Sequence, residues 1–249
     1  MQKTMIAKCL AGAVCALSLA SCATMSDLVG KSSYDPSSYG TKALLETVAS
    51  EDSTASNAAA AAQELANRRL SPEEGQQLFN ALKTQKKEKV RIAILQTISA
   101  KQLTYLCKPV AAYALKAPDD DTGVEAAVTA VSLTSDPDEA LKMAAAFLLK
   151  GPYAAQRARA ARLIATTFPG AAEKLFIQAL KTETSASAAT LMCEYLAQKG
   201  TPDSLPTLEA IANDVGKKYE ADKWLGVKTD ADSVRAAAVR GVERLGELL

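Results

Sequence analysis

Histidine is absent from all 249 residues of this chain. That removes the commonest general base and the commonest metal ligand. A Ser-His-Asp triad, a Cys-His pair and a His-ligated zinc site are therefore impossible within it. Aromatic residues are scarce, with seven tyrosines, four phenylalanines and a single tryptophan. No glycine-rich phosphate loop, CxxC motif or recognisable pair of catalytic carboxylates occurs, and no run of alternating β-branched residues suggests an extended sheet. Excess charge of either sign is missing too: 29 basic residues face 28 acidic ones. Without a basic stripe, nucleic acid is not an expected partner. No catalytic motif, cofactor site or metal site is recognisable, catalysis by lysine or carboxylate lacks support rather than means, and an enzyme is not the expected reading.

What is present begins at the N-terminus. Lys3 and Lys8 precede an apolar run from Cys9 to Ala20, 12 residues long. A bilayer-spanning helix needs roughly 20 apolar residues, so the run is too short to span. A basic start, an apolar middle and a small-residue exit read as an export signal. The exit is Leu19-Ala20-Ser21-Cys22, which resembles the lipobox of bacterial lipoproteins. The resemblance implies cleavage between Ser21 and Cys22 and a diacyl group (palmitate or similar) on the Cys22 sulfur. Two or more acyl chains, at ~0.8 kcal/mol per buried methylene, make a durable anchor where one chain does not. The residue after the anchor is Ala23 rather than Asp. In the sorting rule that accompanies the resemblance, this favours the outer over the inner membrane of a bacterial envelope. The membrane, through the lipid on Cys22, is thus one expected partner.

Three regions follow from this reading: a signal peptide over residues 1–21, a lipidated cysteine and flexible tether over 22–40, and a helical domain over 41–249. With Lys3 and Lys8 removed, the remaining chain carries 27 basic and 28 acidic residues. Residues 23–39, "ATMSDLVGKSSYDPSSY", are rich in turn formers, and such a tether spans roughly 20–25 Å. Tyr34 and Tyr39 within it could also settle at the membrane interface or dock on the body. Of the cysteines left after Cys22, Cys107 and Cys193 both sit in apolar helical patterns and read as small buried residues rather than a disulfide.

From Thr41 onward the periodicity is helical, and alanine accounts for 49 residues of the chain. Ser71-Pro72, Pro118-Asp119, Asp136-Pro137, Gly151-Pro152, Pro169-Gly170 and Gly200-Thr201-Pro202 punctuate it where helices start or stop. A unit recurs: "DSVRAAAV" from Asp232, "EKVRIAIL" from Glu88, "GVEAAV" from Gly123, "RARAARL" from Arg157, "ASAATL" from Ala186 and "ASNAA" from Ala55. Aligning them superposes Ala58, Ala93, Ala127, Ala161, Ala189 and Ala237, at intervals of 35, 34, 34, 28 and 48. A period in the thirties built from helix pairs predicts an all-α solenoid of about six antiparallel pairs, with the alanines letting helix axes approach closely.

The unit resembles that of HEAT-like repeat proteins, whose second helix often begins D-x-V-R-x-A-A. "DSVRAAAVRGVERLG" and "EKVRIAILQTIS" carry the likeness; Glu125 in place of arginine, the short fifth unit and the long sixth interval depart from it. Tetratricopeptide repeats share the period, but their W-x-x-L-G-x-x-Y pattern is absent. The HEAT likeness implies that Arg91, Arg159 and Arg235 form a structural ladder from one repeat to the next. Asp119-Asp120-Asp121 lacks EF-hand spacing and is expected to cap a helix. "KTQKKEK", Lys83 to Lys89, is expected to be a solvated turn. The long interval holds "GKKYEADKWLG", Gly216 to Gly226. An insertion in a solenoid maps to a loop or helix extension on one face, which makes Tyr219, Lys223 and Trp224 candidate partner-binding residues; Trp224 sealing the last repeat is the competing expectation. The function expected is a lipid-anchored envelope scaffold or adaptor that binds protein. The alternatives are an envelope enzyme of HEAT-like lyase or glycan-acting type, or a tetratricopeptide-like subunit of an outer-membrane assembly machine.

Overall fold

Helix capping residues cut the chain, Ser71 and Asp119 where the punctuation predicts and Thr54, Ser185 and Asp230 at places it does not mark. Thr54, Ser71, Asp119, Ser185 and Asp230 each sit in extended backbone and accept a bond from the amide of N2 or N3 of the following helix, satisfying donors that a helix start leaves orphaned. Ser71 adds a full capping box with Glu74, and Pro72 occupies the first helical position, where a missing N–H costs nothing. The computed structural model describes residues 34–214, 219–224 and 226–247; Ser21 and Cys22 lie outside them. Among the described residues there are twelve α-helices and two three-residue strands. The protein is all-α and built of repeated helix pairs.

The helices are α1 (Thr41–Ala49), α2 (Ala55–Leu65), α3 (Pro72–Thr84), α4 (Glu88–Ala100), α5 (Cys107–Ala114), α6 (Asp120–Ser132), α7 (Pro137–Lys150), α8 (Ala154–Thr167), α9 (Pro169–Leu180), α10 (Ala186–Lys199), α11 (Leu205–Asn213) and α12 (Ala231–Gly246). The six aligned alanines all fall in the even-numbered helices, the second of each pair, and all six are at most 5% exposed. None of the described helices is long and apolar enough to cross a membrane.

The chain divides into two compact units, residues 1–140 and 141–249, with the division inside α7. In the first unit α2, α4 and α6 pack in a row, while α1, α3 and α5 each lie against their own partner. The row is tight because its contact positions are small: Ala58, Ala59, Ala61 and Ala62 of α2 are at most 2% exposed. Close approach brings side-chain hydroxyls to neighbouring backbone. Thr97 Oγ1 donates to the Ala62 carbonyl at 2.6 Å and Thr129 Oγ1 to the Leu95 carbonyl at 3.5 Å. The period of 34–35 residues seen in the sequence is thus a spatial step between adjacent second helices. Larger residues, among them Leu44, Leu65, Leu78, Leu82 and Ile94, fill the space between layers and are fully buried.

In the second unit α10 is the centre of the row, with α8 on one side and α12 on the other. Gly241 of α12 meets α10 and α11 so closely that an added β-carbon would lie 2.7 Å from Leu208 Cδ1 and 3.3 Å from Ala197 Cβ. Arg244 Nη1 donates to the Ala197 carbonyl at 2.6 Å across the same seam. The part of the long interval that holds residues 222–224 and 227–229 is neither a loop nor a helix extension. It is a β-hairpin in which β1 (Asp222–Trp224) pairs antiparallel with β2 (Val227–Thr229). Gly226 in the connecting turn takes φ +82°, a conformation that glycine accepts without a steric penalty.

Two stretches expected to be solvated also make contacts with the body. Tyr34 and Tyr39 stack on each other with ring centroids 5.3 Å apart, around a 3-10 turn at Pro36–Ser38. Arg68 Nη2 donates to the Ser37 carbonyl at 2.9 Å, so residues 34–39 dock beside the C-terminal end of α2 instead of belonging to the tether. In the basic turn, Lys86 pairs with Glu51 at 2.9 Å, and Lys87 Nζ donates to the carbonyls of Glu51 and Ser53. A backbone segment at the α1–α2 turn needed donors, and these lysines supply them.

Candidate functional site

The arginine ladder must be built from the helix starts. Arg91 is the fourth residue of α4 and Arg157 the fourth residue of α8. Each folds back so that Nη1 donates to a carbonyl six residues earlier, Gln85 at 2.9 Å and Gly151 at 3.0 Å. Each then reaches forward to the start of the next second helix. Arg91 pairs with Asp119, the N-cap of α6, and its Nε donates to Thr122 Oγ1 at 3.1 Å. Arg157 grips both oxygens of Glu183 at 2.8 Å in the turn before α10. This bidentate geometry is available to a planar guanidinium and not to lysine.

Arg159 is half-buried on α8, two residues beyond the grip, and Arg235 pairs with Asp232 inside its own helix at 3.2 Å. Arg91 of the predicted ladder makes this step, and Arg157, two residues before Arg159, makes the equivalent one. Sequence alignment on the alanines placed Arg159 opposite Arg91. Alignment on the first residue of each helix, signalled by Gly151-Pro152, would have found Arg157.

Burial works to raise the Asp119 carboxyl, yet the hydroxyl and amide of Thr122 together with Arg91 outweigh it and hold it below the ordinary carboxylate range. Asp119 caps α6 as expected, its side chain accepting from the Thr122 amide at 2.9 Å. Glu173 is held low in the same manner: burial pushes it up, and donors from Ser204 and Thr201 pull it down further. Among the described residues no three His, Cys, Asp or Glu side chains gather as metal ligands do. Cys107 and Cys193 are both buried and neither forms a disulfide.

The hairpin is fastened to the N-terminus of α10 by one carboxylate. Asp222 accepts from the Ser187 amide at 2.8 Å, from Ser187 Oγ at 2.9 Å, from Ser185 Oγ at 2.5 Å and from Thr229 Oγ1 at 2.9 Å. A negative group with these donors at a helix start is favoured by both hydrogen bonding and the helix dipole. The backbone adds two bonds, from the Ala186 amide to the Glu220 carbonyl at 3.0 Å and from the Glu220 amide to the Thr184 carbonyl at 2.7 Å. Nothing in the sequence motif analysis singled out Asp222, because its partners lie 35–37 residues away.

Docking the hairpin creates a concavity of about 450 Å³ between α8, α10 and β2. Arg162 and Ala165 form one side, Thr190, Leu191, Glu194 and Gln198 the floor and far side, and Val227 with Thr229 the end wall. Val227 is 63% exposed there, high for an aliphatic strand residue. A second groove, of about 580 Å³, lies between α1 and α3 and is bordered by Lys42, Glu46, Gln77 and Asn80.

Of the predicted partner-binding residues, Tyr219 is half-buried ahead of the hairpin, and burial pushes its phenol well above the ordinary value. Lys223 is exposed in β1 directly opposite Lys228, and Trp224 closes β1 opposite Val227. Arg162 and Leu191, which belong to repeat units, and Val227, which belongs to none, line the groove beside this hairpin and were not among the predicted binding residues. No protein-family model, no curated protein and no solved structure matches this chain.

Proposed function

We propose that this chain is a lipid-anchored protein of a bacterial cell envelope whose helical repeats hold another protein, as a scaffold or adaptor. The anchor is Cys22, exposed as the first residue after cleavage behind Ser21, and the outer membrane is its favoured location. The observation that carries the binding role is the groove between α8, α10 and β2. Arg162, Leu191, Gln198 and Val227 line it, and an aliphatic side chain as exposed as Val227 serves the fold of the hairpin little. Repeat arrays bind through such runs of adjacent second helices, because each added pair extends one surface without altering the core. No cofactor or nucleic acid enters this reading.

The test is chemical crosslinking of the full chain in its native envelope, followed by identification of the crosslinked proteins and reciprocal capture from the partner's side. One protein recovered in both directions supports the scaffold. Recovery of none, together with chemical turnover of an envelope extract by the purified chain, would replace the scaffold with the enzyme.

A further inference from the structure

We infer that the groove between α8, α10 and β2 is the recognition site for an extended acidic peptide segment of a protein partner, a proposal that rests on the scaffold reading above. The charge around it is the first reason. Arg162 is half-buried at the groove edge, and among the described residues its guanidinium makes no ion pair or hydrogen bond. The other arginines of the second helices are engaged: Arg91 with Asp119, Arg157 with Glu183, Arg235 with Asp232, Arg240 with Glu194 and Arg244 with the Ala197 carbonyl, while Arg159 has an interaction of its own. Glu194, the one acid among the described residues lining the groove, pairs with Arg240 at 3.5 Å. The groove keeps an unspent positive charge in a chain whose overall balance is close to zero.

Lys223 and Lys228, opposed across the hairpin and both exposed, lie on the face opposite Val227 and Thr229 because strand side chains alternate, which leaves Arg162 as the charge offered to the groove. The apolar surface supplies the second half of the recognition. Ala165, Leu191 and Val227 line the groove alongside Arg162, so a segment alternating acidic and aliphatic side chains presents a carboxylate to the guanidinium and its aliphatic groups to Leu191 and Val227. Alternation of that kind is natural to an extended chain, whose side chains point to opposite sides at successive residues. Thr190, whose hydroxyl is buried without a hydrogen-bond partner, borders the same groove. Asp222 helps to fasten the hairpin that carries Val227 to α10, which makes Asp222 a positioning residue for the site.

The probe is a set of three fluorescein-labelled octapeptides in which leucine alternates with glutamate, glutamine or lysine, titrated by fluorescence anisotropy onto the purified full chain. The glutamate peptide binds, and binding weakens as salt rises. The glutamine peptide binds roughly tenfold more weakly, the loss expected for one charge-assisted contact, and the lysine peptide does not bind. Arg162→Gln lowers affinity for the glutamate peptide to the level of the glutamine peptide, while Lys181→Gln, at an exposed site away from the groove, changes nothing. Circular dichroism of Arg162→Gln matches the parent, since among the described residues that guanidinium makes no ion pair or hydrogen bond. Asp222→Asn weakens the same peptide without touching the guanidinium. Equal binding of the glutamate and glutamine peptides, undiminished binding by Arg162→Gln, or no binding of any peptide overturns the proposal. So does Arg162-dependent binding to vesicles of anionic lipid in place of peptide. The envelope crosslinking, repeated with Arg162→Gln, separates the two claims. Undiminished recovery of the partner removes the groove and leaves the scaffold standing, whereas no partner even with the parent chain removes the scaffold itself.

Discussion

Buried charge decides how neighbouring repeats are fixed at the scale of single residues. The Glu183 side chain is 2% exposed and that of Arg157 18%, so neither ion is compensated by water. Glu183 also accepts from the amides of Thr184 at 2.9 Å and Ser185 at 2.8 Å. Removing one partner of such a pair leaves the other desolvated and alone, which costs ~3–5 kcal/mol. Glu183→Ala is expected to show a loss of that size in chemical denaturation. Arg235→Ala, which ends only an exposed pair within one helix turn, is expected to cost about 0.5 kcal/mol or less. Equal losses for the two variants would refute the ladder drawn through Arg157. The depressed carboxyl of Asp119 adds a pH signature. A group whose folded pKa lies below its unfolded one stabilises the protein above the unfolded value, about 3.9 for aspartate, and that contribution is lost as pH falls through the folded value. The melting-temperature gap between the parent chain and Asp119→Asn is therefore expected to be open at pH 6 and to close on acidification through about pH 4 and below. A gap unchanged down to pH 2 would show that Asp119 gains nothing from Arg91 and Thr122.

Elements pack through alanine, and that was written in the sequence because the period of small residues is itself the contact pattern. Ala127 and Ala161 are 5% and 0% exposed on α6 and α8. Leucine at either position overpacks a close helix contact and is expected to cost ~1–3 kcal/mol, read as a lower melting midpoint, whereas leucine at exposed Ala236 should leave it unchanged. The hairpin was not legible in the same way. Its strands are three residues each, too short for alternation to register, and the only local signal is Gly226 between Trp224 and Val227. What holds it is a set of contacts from Asp222 to the start of α10, remote in sequence and therefore invisible to any window. Arg157 escaped for a related reason: alanines recur so often that an alignment built on them can slip by two residues without losing matches. Asp222→Asn weakens the charged acceptor for the Ser187 amide and three hydroxyls. Hydrogen exchange at the Ala186 and Glu220 amides, which bond across the hairpin–helix seam, is expected to accelerate, with the amides of the α2–α4 seam unaffected. Unchanged exchange at both positions would mean that backbone pairing alone fastens the hairpin.

At the scale of the whole molecule, the proposed attachment depends on one atom, the sulfur of Cys22. Eleven residues lie between it and Tyr34, and a chain of that length reaches at most ~40 Å at ~3.3–3.6 Å per residue. Under the proposed anchor the first unit would therefore stay within a few nanometres of the lipid surface. Stable residence needs two acyl chains or more, since a single one binds only reversibly. Cys22→Ser is accordingly expected to abolish incorporation of labelled palmitate and to leave the protein either unprocessed, with residues 1–21 still attached, or released by a salt wash that does not extract the parent. The other thiols of the body offer no substitute, because Cys107 is 8% exposed and Cys193 is fully buried. The folded repeats should be indifferent to the change, with the melting midpoint of the body matching that of the parent. Palmitate entering Cys22→Ser at the parental level, or a parent chain that carries no acyl group at all, would dismiss the anchor and move the protein away from the membrane, while the helical repeat and its groove would stand as they are.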